Sequence, residues 1–291
     1  MALIDNILMP DGTIGIRDKV QISIDRLRAF EPQEGYYLAF SGGKDSQCIY
    51  HLALEAGVKF DAHYNVTTVD PPELIWFMRD NYPDVVFEYP ELSMWRLIVK
   101  KKMPPSRLVR YCCEVLKEHG GEGRICVTGV RWAESVGRKK NRGVIENGRK
   151  ILFNDNDEAR RYFETCKTKN KMVVNPIIDW TEKDVWEYHS TRYLKHCCLY
   201  DEGFKRLGCI GCPMAGTQGR LMQFARWPKY YQAYLRAFDR LAKYRNENGM
   251  NEGETNWKSG QEMMDWWLEQ DSKDTAMDGQ ESMLNDHDWE D

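Results

Sequence analysis

The 291-residue sequence lacks the segments that place a protein in or across a membrane. It contains no run of about 18 apolar residues, so no membrane-spanning helix is predicted. Residues 1–12 show no basic segment followed by an apolar core, so a secretory signal is not expected and the cytoplasm is the expected location. Hydrophobic residues make up 42% and charged residues 30% of the chain, which is typical of a globular protein.

A strongly basic character is also absent. The formal net charge is −4, and residues 271–291 contain eight acidic residues and one lysine without apolar periodicity. We expect this segment to be an unstructured, solubilising tail, with a regulatory or partner-docking role as the alternative. A sequence pI of about 6.0 argues against autonomous binding to duplex nucleic acid, which usually needs a strongly basic face.

Cysteine, by contrast, is frequent. The chain has nine cysteines, and disulfides are not expected in a reducing cytosol in a chain long enough to build its own core. Six of them are close together in the sequence, as Cys112–Cys113, Cys197–Cys198 and the pair Cys209 and Cys212. Such grouping is typical of a metal or iron–sulfur site, although cysteines are also often buried simply as small apolar residues.

Apolar runs of strand length alternate with segments of helical periodicity. Strands are predicted at 36–40, 60–69, 85–89, 124–130 and 172–178, and helices at 14–30, 44–56, 71–81 and 180–188. This alternation predicts an α/β fold with a Rossmann-like, twisted parallel sheet and helices on both faces. Helices predicted at 217–225, 228–245 and 261–270 form a helical C-terminal extension.

A glycine-rich loop lies between the first predicted strand and the helix that follows it. Its residues are Ser41, Gly42, Gly43, Lys44, Asp45 and Ser46. Helix N-termini carry unpaired N–H groups and a positive dipole end, and adjacent glycines let a phosphate approach the backbone. Lys44 adds a charge and the two serines add hydroxyl donors. The loop does not have the Walker A spacing, and a tight strand–helix turn alone would not need this string of residues.

The string SGGKDS resembles the PP-loop of the adenine nucleotide α-hydrolases, the ATP pyrophosphatase superfamily. Three further segments narrow the resemblance to the phosphoadenosine-phosphosulfate (PAPS) reductase family. They are residues 128–138 (TGVRWAESVGR), 175–186 (NPIIDWTEKDVW) and 199–213 (LYDEGFKRLGCIGCP). The resemblance implies that the chain binds ATP or a related adenylyl nucleotide, with Mg²⁺ bridging the phosphates and Asp45 as a water-mediated ligand.

Several residues are assigned to this ligand. Arg131 and Arg138 follow a predicted strand end, where ligands of open α/β sheets bind, and an arginine fork matches phosphate or sulfate. Lys44, Asp45, Arg131 and Arg138 are therefore the candidate catalytic residues. The segment Asn65–Asp70, which ends the second predicted strand on the same edge, resembles the part of the family that contacts the nucleoside. The candidate nucleotide ligands are Ser41, Gly42, Gly43, Lys44, Asp45, Ser46, Thr68, Asp70, Gly129 and Arg131.

The cysteines resemble those of the family members that carry an iron–sulfur cluster. In these proteins a tandem cysteine pair and a later C-x-x-C hold one [4Fe–4S] cluster, which implies Cys112, Cys113, Cys209 and Cys212 as ligands. Zn²⁺ also accepts four thiolates, so it remains an alternative. Cys198 is a further alternative ligand, in place of one of the tandem pair.

One departure from the family pattern argues against the reductase activity of classical sulfate assimilation. Family reductases attack sulfur with a cysteine near the C-terminus, and this sequence has none after Cys212. The leading prediction is therefore an ATP pyrophosphatase that adenylylates a target in sulfur transfer or nucleic-acid modification. Two alternatives stay open: a sulfonucleotide reductase that uses a partner's thiol, and a nucleotide-sensing subunit of a nucleic-acid-processing complex. A protein partner supplying sulfur or a thiol, a nucleic-acid substrate and a homo-oligomer are compatible with these predictions.

The domain prediction follows from these assignments. Residues 1–190 are predicted to form the nucleotide-binding α/β domain, 191–270 the cysteine-containing segment with the helical extension, and 271–291 the acidic tail. Within the first domain, Thr181 is predicted to cap the helix that follows it, with Asp184 three residues later completing a capping box.

Overall fold

The computed structural model describes residues 3–8, 14–117, 120–147, 150–153, 172–250 and 256–277. The chain divides into two compact units. The first comprises Met1–Asn65, Pro72–Glu88 and His119–Leu207, and the second Val66–Pro71, Tyr89–Glu118 and Gly208–Asp291. Both units are therefore discontinuous in sequence, whereas the predicted domains were continuous.

The first unit begins with a hairpin that the sequence did not predict. Strand β1 (Ile4–Leu8) pairs antiparallel with β2 (Ile14–Asp18), and helix α1 spans Lys19–Ala29. The helix predicted over 14–30 is thus wrong in its first five residues. Ile14 and Ile16 alternate with Gly15 and Arg17, a period of two that favours a strand. Asp18 ends the strand and caps α1 by accepting hydrogen bonds from two backbone N–H groups.

A seven-stranded sheet forms the centre of the first unit. Its order is β5-β4-β3-β6-β9-β7-β8. The first five strands are parallel, β7 pairs antiparallel with β9, and β8 pairs antiparallel with β7. The strands are β3 (Tyr36–Ala39), β4 (Phe60–Asn65), β5 (Val86–Glu88), β6 (Ile125–Val127), β7 (Ile145–Asn147), β8 (Lys150–Phe153) and β9 (Met172–Val174). The five predicted strands are confirmed, although they are shorter than predicted. The antiparallel edge was missed because its strands lie in a stretch rich in charged residues.

Helices on both faces of this sheet confirm the predicted fold class. They are α2 (Lys44–Ala56), α3 (Pro72–Asn81), α6 (Val136–Asn141) and α7 (Glu182–Thr191), in addition to α1. Gly57 ends α2 in the left-handed conformation. The capping box of Thr181 and Asp184 is present as predicted. Asp184 also accepts a hydrogen bond from the buried Lys19 amino group at 2.8 Å, which ties α7 to α1.

The second unit is helical. Its helices are α4 (Met94–Lys101), α5 (Tyr111–Leu116), α8 (Gly216–Arg226), α9 (Pro228–Glu247) and α10 (Gly260–Met277). Tyr234, Phe238 and Leu241 of α9 are buried, and the rings of Tyr234 and Phe238 pack with Trp267 of α10. Helix α10 continues to Met277, into the segment predicted to be a tail, and residues 278–291 lie outside the described residues. None of the described helices is long and apolar enough to span a membrane.

Candidate functional site

The glycine-rich loop connects the central strand β3 to α2 and takes a shape that requires glycine. Gly42 has φ of 71°, a left-handed conformation that side chains disfavour. A Cβ at this position would lie 2.6 Å from Met78 Sδ and 2.8 Å from Leu74 Cδ1 of α3. Gly43 then forms the extended N-cap of α2. Both the backbone twist and the packing against α3 therefore exclude larger residues at position 42.

The loop hydroxyls and amides face a small cleft. Ser41 Oγ donates to Ser46 Oγ at 3.1 Å, and Ser46 Oγ bonds the Gly43 carbonyl at 2.8 Å. The amide of Lys44 donates to the hydroxyl of Tyr200 at 2.9 Å. The cleft encloses about 180 Å³, below the roughly 300–1,000 Å³ of typical ligand pockets. Within this cleft the hydroxyl of Tyr200 occupies an acceptor position at the N-terminus of α2.

Lys44 is held inside this site and does not extend into solvent. Its side chain is only 3% exposed. The ammonium donates to the carbonyl of Lys205 at 2.9 Å and lies 3.1 Å from Glu182 Oε1 and 3.9 Å from Asp45 Oδ2. A positive charge is thus fixed beside the loop amides, as the sequence predicted, and two carboxylates compensate for its burial.

Arg131 completes the same network from the end of β6. Its Nε donates to Asp45 Oδ1 at 2.6 Å and its Nη2 to Glu182 Oε2 at 2.8 Å. Burial alone would raise the pKa of Glu182, but the charges of Lys44 and Arg131 outweigh it and hold that pKa below its ordinary value. Lys44, Asp45, Arg131 and Glu182 therefore form one closed ring of charges, and the first three are among the four predicted catalytic residues; the fourth, Arg138, lies outside the ring.

A second cationic group adjoins the ring. Glu134 pairs with both Arg138 and Arg206, the latter at 3.3 Å. Burial, followed by the nearby charges of Arg206 and Arg142, lowers the pKa of Arg138 to about 10. The close pair with Glu134 acts in the opposite direction, but one carboxylate cannot neutralise two guanidinium groups. The site as a whole holds four cations against three carboxylates, which favours an anionic ligand.

Gly129 brings the end of β6 against the first turn of α2. A Cβ there would lie 3.1 Å from the backbone carbonyl atoms of Asp45. This close approach explains why a glycine precedes Arg131 by two residues, since the strand end must come near enough for Arg131 to reach Asp45.

Thr68 and Asp70, the predicted nucleoside ligands, belong to the second unit and have local structural roles there. Asp70 accepts hydrogen bonds from the backbone N–H of Thr67 at 2.7 Å and from its hydroxyl at 2.6 Å. Thr68 has a φ of 66°, which is unusual for a β-branched residue, and its hydroxyl accepts a hydrogen bond from the amide of Met94 at the start of α4. Nucleoside binding by both residues stays a prediction.

The four predicted cluster ligands all lie in the second unit. Cys112 interacts electrostatically with Cys113, Cys209 and Cys212, so the four thiols share one neighbourhood. A hydrogen bond from Cys112 is the main cause of a pKa of Cys113 near 5, and burial works against it. Cys209 is buried, whereas Cys112, Cys113 and Cys212 are half-buried. Four thiols are the donor type that iron–sulfur clusters and zinc prefer.

The geometry of these thiols does not by itself form a metal site. Within the described part of the chain, no group of three or more His, Cys, Asp or Glu side chains is arranged to hold a metal ion. The cluster, the zinc alternative and a Mg²⁺ ion near Asp45 therefore stay predictions. Cys198, the alternative ligand, is exposed in the first unit, in the short turn Cys198–Tyr200.

Four residues of the nucleotide site were not assigned from the sequence. They are Glu134, Glu182, Tyr200 and Arg206, which line the cleft or pair with its cations. All four lie inside the three segments that carry the family resemblance. Their presence in those segments was the available signal, but the position of each side chain depends on contacts between residues far apart in sequence.

Comparison with protein families agrees with this geometry. The family model described as the phosphoadenosine phosphosulfate reductase domain matches residues 35–215, well over half of the chain. The chain belongs to this family. The matched region contains the glycine-rich loop, the arginines of the β6 end and all four candidate cluster cysteines.

Three curated relatives of this chain differ in the activity, if any, that their names state. An adenosine 5′-phosphosulfate reductase of Geobacillus kaustophilus is 29% identical over 182 residues, 60% of this chain and 66% of that protein. A probable FAD synthase of Schizosaccharomyces pombe is 28% identical over 207 residues, 68% of each chain. An uncharacterized protein of Methanocaldococcus jannaschii is 25% identical over 237 residues, 76% of this chain and 45% of that protein. The chain thus spans less than half of the archaeal relative and about two thirds of the other two.

Among solved structures, a PAPS reductase from Candida auris in a phosphate complex aligns with a TM-score of 0.45 and 16% identity. The alignment covers 64% of this chain and 87% of that one. Similarity at this level transfers neither substrate nor mechanism.

Proposed function

We propose that this family member is an ATP pyrophosphatase that binds ATP through the loop Ser41–Ser46 and adenylylates an acceptor, in sulfur transfer or nucleic-acid modification. The observation that carries the proposal is the cationic cleft at the N-terminus of α2, where Lys44 and Arg131 flank the loop amides. Two of the curated relatives have names that imply an adenylyl nucleotide, as a sulfonucleotide in one and as part of FAD in the other.

The chemistry of such a reaction is electrostatic. Cleavage between the α- and β-phosphates builds negative charge on the departing pyrophosphate, and fixed cations lower the barrier by stabilising it. Lys44 and Arg131 are buried and held in place by hydrogen bonds, so they are preorganised for this role. Arg138 adds a charge that Glu134 compensates only in part. Burial and then repulsion from Arg206 and Arg142 lower the pKa of Arg138, and a bound anion would offset both effects. When the loop amides bind a phosphate, Tyr200 must give up its hydrogen bond from the Lys44 amide.

The cofactors remain part of the proposal. Asp45, whose Oδ2 is less tightly engaged than its Oδ1, would hold Mg²⁺ through a water molecule, and the ion would neutralise charge on the phosphates. Cys112, Cys113, Cys209 and Cys212 would hold a [4Fe–4S] cluster, which would supply one-electron chemistry, with Zn²⁺ as the alternative occupant. A partner protein supplying sulfur or a thiol fits this arrangement.

A second candidate is favoured by the relative from Geobacillus kaustophilus, which is a sulfonucleotide reductase. The same cleft can hold the phosphosulfate group of adenosine 5′-phosphosulfate, because sulfate and phosphate share their geometry and hydrogen-bond acceptors. Reduction then needs a thiol nucleophile, and the candidate must obtain it from a partner protein.

Two parallel assays separate the candidates. Protein prepared without oxygen is incubated with ATP, Mg²⁺ and an acceptor probe, FMN in one arm and RNA or DNA in others, and pyrophosphate is measured. The same preparation is incubated with adenosine 5′-phosphosulfate and thioredoxin, and sulfite is measured. We expect pyrophosphate release that depends on the acceptor, and no sulfite. Sulfite release at an ordinary enzymatic rate would overturn the proposal in favour of the reductase.

A further inference from the structure

The carboxylate of Glu182 joins the two most deeply buried cations of the site. Its Oε1 lies 3.1 Å from Lys44 Nζ and its Oε2 lies 2.8 Å from Arg131 Nη2. The side chains of Lys44 and Arg131 are 3% exposed, whereas that of Glu182 is 55% exposed. The cations are therefore fixed in the protein, and the carboxylate approaches them from the solvent side.

This carboxylate occupies the cations in the way a phosphate group would. Each of its two oxygens accepts from a different positive group, which is how neighbouring phosphate oxygens are bound by lysine and arginine. The side chain is not needed to begin α7, because Thr181 and Asp184 already form the capping box there. Trp186 Nε1 donates to Glu182 Oε1 at 3.2 Å, so a partner within its own helix remains available to the carboxylate.

We infer that Glu182 is a built-in competitor for the anion site, and that it selects ligands with two adjacent phosphates over single tetrahedral anions. The inference rests on the proposed function, since it assigns the site to a polyphosphate. A ligand binds only if its interactions with Lys44 and Arg131 are more favourable than those that the Glu182 carboxylate already makes. A pyrophosphate group has oxygens on two phosphorus atoms, so it can contact the two cations and the loop amides at the same time. A sulfate ion only replaces the carboxylate with another single anion and gains little.

The test removes the competing charge while keeping the shape of the side chain. Inorganic pyrophosphate and sulfate are titrated by calorimetry, without ATP, into the full chain and into Glu182→Gln. Pyrophosphate is expected to bind the variant about tenfold more tightly, equivalent to about 1.4 kcal/mol. Sulfate is expected to gain measurable affinity for the variant. Glu187→Gln is the matched control, because Glu187 is an exposed residue of the same helix and its loss changes the net charge equally.

The outcomes separate this inference from the proposed function. Tighter binding in Glu182→Gln together with unchanged binding in Glu187→Gln supports the competitor role. Equal tightening in both variants reflects long-range charge alone and overturns it, as does wild-type affinity in Glu182→Gln. Binding of pyrophosphate to none of the three proteins overturns both the inference and the assignment of the cleft. Far-UV circular dichroism of each variant verifies that the fold is retained before titration.

Discussion

Replacing Gly42 by alanine tests whether the loop geometry is as constrained as its packing indicates. The new Cβ would lie 2.6 Å from Met78 Sδ, too close for any real contact, and the residue would keep a φ of 71°. A left-handed conformation costs a residue with a side chain about 1–2 kcal/mol. Forcing an extra methyl group into a packed site costs about 1–3 kcal/mol more. We therefore expect Gly42→Ala to lower the free energy of unfolding by about 2–5 kcal/mol.

Gly57 offers a matched control on the other end of the same helix. It has a φ of 70°, and a Cβ there would meet nothing within 4 Å. Gly57→Ala should therefore lower the free energy of unfolding only by the cost of the left-handed conformation, about 1–2 kcal/mol. Urea unfolding followed by tryptophan fluorescence gives both values, and pyrophosphate titration gives the effect on binding. Equal losses in the two variants would refute the steric argument. Unchanged pyrophosphate affinity in Gly42→Ala would refute the role of the loop shape in binding.

Three further predictions follow from the site, the helix caps and the cysteines. Lys44→Ala should weaken ATP binding by about 1.5–3 kcal/mol, the range for a charge-assisted hydrogen bond. Lys59 is exposed, so Lys59→Ala should leave ATP binding unchanged. Calorimetry that finds both variants equal to wild type would refute the assignment of Lys44 to the nucleotide. Burial alone would raise the pKa of Asp184, but hydrogen bonds from Lys19 and Thr181 hold it below 3.8, so its stabilisation is present above pH 3.8 and lost as pH falls further. Asp184→Asn should thus cost about 1.5–3 kcal/mol at pH 7 and much less near pH 2, and an equal cost in urea unfolding at both pH values would contradict this. Protein purified without oxygen should contain about four irons per chain; Cys113→Ser should lose them and Cys198→Ser should keep them, and the reverse pattern would show that the ligand set is wrong.

The parts of the fold that depend on local sequence were predictable. The capping box of Thr181 and Asp184 and the left-handed Gly57 involve residues within four positions of each other, and both are present. The parallel sheet followed from the alternation of strands and helices. The hairpin of β1 and β2 was not predictable in the same way, because Ile16 also fits the helical stripe that continues through Val20 and Ile24, and pairing with Ile4–Leu8 selects the strand.

In the nucleotide site, too, the features that depend on local sequence were predictable and those that depend on long-range contacts were not. The loop and its lysine were visible because Gly42, Gly43 and Lys44 are adjacent in the chain. Tyr200 and Glu182 were not, because their contacts with Lys44 join residues more than 130 positions apart. Local patterns therefore locate the phosphate-binding loop, but only the folded chain shows which side chains occupy it when no ligand is bound.

The contact between Gly129 and the backbone of Asp45 has a consequence for how such a site can change over evolution. The end of β6 lies so close to the first turn of α2 that a Cβ on Gly129 would be 3.1 Å from the backbone of Asp45, and a Cβ on Gly42 in the loop would be 2.6 Å from Met78 Sδ. Mutations are tolerated poorly there, but the cleft is also lined by Tyr200, Arg206 and Leu207, which are side chains on an irregular segment. Laboratory selection for a new anionic substrate should therefore accumulate its substitutions at 200–207 and at 182, and leave the glycines unchanged. The rigid backbone can keep its role in phosphate binding while the surrounding side chains change to fit a different substrate.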